Sequence, residues 1–173
     1  MSNEQLTVNN EKRTIKKRKS LTLFFVIFYL LFCNCLLFGQ TAERIERLLG
    51  QDQVSYRDAA LLVLEAAGHI ESAKQTSADD AFRFAMYRGW LPKGAEADND
   101  ARFNGISLLL MRSFGLKGGF MYSFAKNPRY SYRELVFKGV IQGKAYPKMP
   151  VSGDKLLFMI NRILALEETE GNK

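Results

Sequence analysis

From residue 54 onward the apolar residues recur with helical spacing and are interrupted by short glycine, proline and polar breaks. Ala59, Leu62, Val63, Ala66 and Ala67 fall at i, i+3, i+4, i+7 and i+8, the stripe of a helix buried along one side. Ser55 with Asp58 three positions later reads as a capping box, and Gly68 ends the helix. Ser77, Asp79 and Asp80 mark a second helix start, and Asn127-Pro128 a break before another.

Two further stretches echo each other, "YRGWLPKG" from Tyr87 and "FKGVIQG" from Phe137. Upstream, Phe82, Ala85, Met86 and Gly89 match Tyr132, Leu135, Val136 and Gly139. Each helix ends in a base followed by a glycine able to adopt the left-handed cap. Trp90-Leu91 and Val140-Ile141 follow, then a loop containing Gly143 in the second copy, then another helix. The sequence aligns Gly105–Met111 with Gly153–Met159, 48 positions apart. A third, degenerate copy opens with "TAERIERLL" and "VSYRDAALLVLEAAG", placing Val54-Ser55 level with Val151-Ser152. The expectation is an all-α domain over 41–166, built as stacked helix-loop-helix units at about 42–68, 79–116 and 129–166, with an acidic tail at 167–173. No single pair buries its apolar face alone, so the three stack. The spacer near 116–128 falls outside this pattern: Gly118-Gly119 signals a turn, and Phe120, Tyr122 and Phe124 alternate as in a short strand or hairpin.

The first 20 residues carry Lys12, Arg13, Lys16, Lys17, Arg18 and Lys19 and lead into an uncharged apolar run from Leu21 to Gly39. That arrangement predicts an export signal over 1–40, cleaved near Gly39–Ala42, or an uncleaved anchor with its bases on the cytoplasmic side. The expected location is the periplasm, free or membrane-anchored. Cys33 and Cys35 are the only cysteines and lie in this segment, so the remainder has no disulfide and no cysteine nucleophile. Residues 112–162 hold ten bases against Glu134 and Asp154, a basic half suited to anionic glycan or lipid headgroups.

The stretch "ELVFKGVIQGKAYPKMPVSGDKLLFMINRIL" resembles an S-layer homology repeat, with Gly139, Val140, Ile141, Gly143 and Pro147 on the family's corner pattern. Val54, Ser55 and Asp58 stand at the Ile, Thr and Glu positions of the family's second-helix start. The likeness implies a pseudo-threefold bundle of helical hairpins that attaches proteins to envelope glycan. The family's motif arginine, central to that grip, is replaced by Tyr56 in the first copy and Gly153 in the third, and "ARFNGISLL" lacks the motif.

No catalytic, cofactor or metal site is expected. His69 is the only histidine and follows a helix end, so it reads as a surface or cap residue. Asp98 and Asp100 lack the further acids of a calcium loop. Trp90 occupies a position filled by Val140 in the other copy, which favours packing over ligand stacking. Gly89, Trp90, Leu91, Gly139, Val140, Ile141 and Gly143 are therefore structural corner residues. The candidate contact surface joins Phe120, Tyr122 and Phe124 to Lys117, Lys126, Arg129 and Arg133, because aromatic and cationic side chains together suit sugars, peptides and lipid headgroups. The sequence thus points to a non-enzymatic envelope module. Its expected partner is cell-wall glycan or, alternatively, an envelope protein met by a membrane-anchored domain; the inner membrane is a further partner if the leader stays, and nucleic acid is not expected.

Overall fold

The computed structural model describes residues 43, 45–71 and 76–171. Every described residue but Glu43 belongs to one compact unit that begins at Ile45. The apolar run Leu21–Gly39 lies outside the described residues.

A helical turn at 45–49 precedes six helices: α1 (Tyr56–Ala66), α2 (Ala78–Tyr87), α3 (Phe103–Ser113), α4 (Phe120–Phe124), α5 (Pro128–Phe137) and α6 (Gly153–Gly171). The all-α expectation holds among the described residues. Local chemistry sets several starts: Ser55 accepts from the Asp58 amide at 3.2 Å, Ser77 from Asp80 at 3.1 Å, and Asn127 from Tyr130 at 3.1 Å with Pro128 at the first position of α5. The acidic stretch placed outside the domain continues α6 as far as Gly171.

The helix ends share one geometry. Beyond α2, the Trp90 amide reaches the Ala85 carbonyl at 2.9 Å and the Gly89 amide that of Met86 at 3.0 Å. Beyond α5, Val140 reaches Leu135 at 2.9 Å and Gly139 reaches Val136 at 3.0 Å. These are Schellman caps, with Gly89 at φ +65° and Gly139 at φ +70°. Trp90, Leu91, Val140 and Ile141 turn inward and are buried.

α2 packs on α1, α5 on α3, and α1 touches both α3 and α6. The extended residues leading into α1, α3 and α6 meet in a closed ring. Val54 donates to Val151 at 2.9 Å, Val151 to Ala101 at 2.8 Å, and Ala101 back to Val54 at 2.8 Å. Two residues on, Tyr56 donates to Asn99, Phe103 to Met149 and Gly153 to Gln51, at 3.0–3.1 Å. The amides that begin these helices thus find carbonyls on neighbouring segments, which lets fully buried backbone converge there without orphaned groups. α3, whose Arg102 cap makes no side-chain bond, relies on this arrangement together with the Asn104 amide's bond to Pro147 at 2.9 Å.

The spacer departs from expectation. The alternation of Phe120, Tyr122 and Phe124 belongs to one turn and a half of helix, α4, and not to a strand or hairpin. Tyr122 is driven inward against Gly118, where an added Cβ would lie 2.5 Å from its ring. Phe120 and Phe124, four residues apart on the opposite side, remain exposed.

Candidate functional site

α4 and α5 together form the flank that carries the sequence-predicted contact residues. The Gly118-Gly119 turn lets the chain come close to both neighbours: a Cβ at Gly119 would meet Glu134 of α5 at 3.1 Å. Ser123 Oγ donates to the Gly118 carbonyl at 3.2 Å, and Arg112 of α3 reaches the Lys126 carbonyl at 3.5 Å. The first bond closes α4 on its own preceding turn, and the second ties the segment after it to α3.

Two hollows use α4 as a common wall. One, of about 280 Å³, is lined by Phe120 and Met121 of α4 and by Tyr130, Arg133, Glu134 and Phe137 of α5. The other, of about 450 Å³, has Tyr122 and Leu116 in its wall together with Arg112, Lys117 and Lys126. Arg112 Nε is buried without a hydrogen-bond partner in the structure.

Of the seven candidate contact residues, Lys117, Phe120, Phe124, Lys126, Arg129 and Arg133 are exposed. Tyr122 is not: it is 3% exposed, and burial raises its phenol pKa above the ordinary value. It holds α4 in place and leaves the flank's outer face to its neighbours. Phe137 and Arg112 belong with the site and were missed in the sequence. Phe137 is 88% exposed, and the available signal was its phase, two positions from the buried Leu135 and so off the helix's apolar stripe.

The other candidates resolve as structural. Trp90 is 6% exposed, with the Arg88 guanidinium at 5.1 Å and the His69 ring at 4.8 Å from its ring, and it borders the 450 Å³ hollow. His69 follows the α1 cap as expected and meets the Ser113 carbonyl through Nε2 at 2.8 Å. Arg57 pairs with both Asp79 and Asp98, and no metal-binding group of acids, histidines or cysteines occurs among the described residues.

Tyr56, Phe103 and Gly153 each follow a ring residue by two, and all three are buried. The Tyr56 ring lies over Gly105, where a Cβ would come within 2.3 Å of its hydroxyl, and burial raises its pKa. Lys155 Nζ sits 5.7 Å from the centre of the Phe103 ring. At Gly153 the Leu48 carbonyl takes the space of a side chain. Comparison with protein families, characterised proteins and solved structures finds no match to this chain.

Proposed function

We propose that the chain is an exported, non-enzymatic module of the S-layer homology type that attaches to the bacterial cell envelope. It is a ring of three helix-loop-helix units, at about 42–68, 79–116 and 129–166. The observation that carries this reading is the cyclic set of bonds through Val54, Ala101 and Val151, which gives three chain segments the same role at one axis. The matched caps at Gly89 and Gly139 support it, as does the order of packing. α2 lies on α1, α5 lies on α3, and Leu48 of the 45–49 turn lies against the start of α6.

The attachment surface is the α4–α5 flank. Tyr56 and Gly153 stand where the family resemblance puts its glycan-gripping arginine, so that cation is missing there; Tyr56 lines a hollow of about 410 Å³, and the Leu48 carbonyl fills the space beside Gly153. The flank instead offers free cations and aromatics. Residues 41–173 should sediment with isolated cell envelopes, and Lys126→Glu combined with Arg129→Glu should abolish the sedimentation. A double variant that pellets as well as the wild-type chain would refute this role for the flank.

A further inference from the structure

Resting on the envelope reading, we infer that the α4–α5 flank docks on an anionic lipid bilayer, with Phe120, Phe124 and Phe137 entering the interfacial layer and a collar of bases contacting lipid phosphates. The first reason is exposure. Phe120, Phe124 and Phe137 are 83%, 87% and 88% exposed, and half-exposed Met121 lies beside them. Phe120, Met121 and Phe137 line one hollow, so they form a cluster and not scattered singles. A phenylalanine held in water at this exposure gains about as much on entering an apolar layer as it would in a core.

Charge complementarity selects the occupant. From residue 112 to 144 the chain carries seven bases (Arg112, Lys117, Lys126, Arg129, Arg133, Lys138 and Lys144) and one acid, Glu134, a net charge of 7 − 1 = +6. The hollow bearing Arg112, Lys117 and Lys126 is polar where the hollow bearing Phe120 and Phe137 is greasy, and α4 separates them. That juxtaposition matches a bilayer surface, where phosphates and acyl chains are met within a few ångströms of each other. A protein partner would require a complementary acidic, apolar groove. A membrane offers both features at any anionic patch, and basic residues near it each strengthen adsorption.

The test reads depth at the flank itself, so that recruitment by the apolar leader does not decide it. Phe124→Trp is introduced in the full-length chain, with the wild-type chain supplying the signal of the buried Trp90. On vesicles of about 30% phosphatidylglycerol in phosphatidylcholine, residue 124 should be quenched by brominated acyl chains and shielded from iodide. Phosphatidylcholine alone should leave it open to iodide. Lys117→Gln and Lys126→Gln should each lower the ratio of inserted to free flank roughly fivefold at low salt. Full iodide access on the anionic vesicles, or equal quenching on both kinds, overturns the proposal. Protection of residue 124 only by lipid-free envelope protein also overturns it and assigns the flank to a protein partner. Sedimentation with envelopes that survives either result would leave the attachment reading standing while lipid docking fails.

Discussion

Single residues show how crowding fixes residue choice beside the ring of helix starts. Gly153 is glycine because Leu48 leaves no room: an added Cβ would stand 1.6 Å from a backbone carbonyl, which cannot swing aside as a side chain would. Gly153→Ala should therefore lower unfolding free energy by about 1–3 kcal/mol in urea titrations. Gly50→Ala, whose nearest contact is 3.6 Å away, should change it little. Gly105 is glycine for a different reason, the Tyr56 ring, so its correspondence with Gly153 in the sequence is a coincidence of two separate crowding effects. Trp90 was legible as a packing residue because Val140 holds the matching place, and truncating it to alanine should cost roughly 3–5 kcal/mol, read as a lowered thermal midpoint. The inward turn of Tyr122 was not legible. It depends on Gly118 and on the body of the domain, and neither is visible in the spacing of three aromatics.

At the scale of elements, ends proved more legible than registers. Caps are local: Ser55, Ser77 and Asn127 each bond an amide three residues on, and a reader of the sequence sees both partners at once. Gly89 and Gly139 were likewise readable as matched corners. Gly89→Ala and Gly139→Ala should each destabilise by about 1–2 kcal/mol, since a side chain at positive φ is strained whatever space surrounds it. Unequal losses, with one corner indifferent, would break the equivalence on which the repeat proposal rests. The register of the following helices was misread. Glycines suggested an offset of 48, whereas the ring pairs Ala101 with Val151, an offset of 50, in step with Gly89 and Gly139. Backbone bonds between segments so far apart leave no trace in composition. α4 escaped detection for another reason: five residues with aromatics at alternate positions satisfy a strand's period while also placing Phe120 and Phe124 on one side of a helix.

At the scale of the whole molecule, two buried phenols and a partly buried one, in separate places, tie stability to alkaline pH. Tyr56 packs beside the ring, Tyr122 wedges α4, and Tyr132 donates to the Ala145 carbonyl at 2.7 Å, pinning the loop after α5. Burial is the largest cause in each case, and it raises all three pKa values above 10.0. The folded chain therefore holds these protons at pH values where the unfolded chain, titrating near 10, has begun to release them. Stability is fully present below that value and falls as pH rises through the folded-state values. The comparison between variants isolates the phenol from every other pH effect. Tyr56→Phe removes the titrating proton while keeping the ring over Gly105, at the loss of only a 3.4 Å bond from the Arg102 amide. Its thermal midpoint, followed from about pH 8 to 11, should decline less steeply than that of the wild-type chain. Parallel curves would show that the phenol at the ring is not held neutral by burial, and the link between its packing over Gly105 and alkaline stability would fail with it.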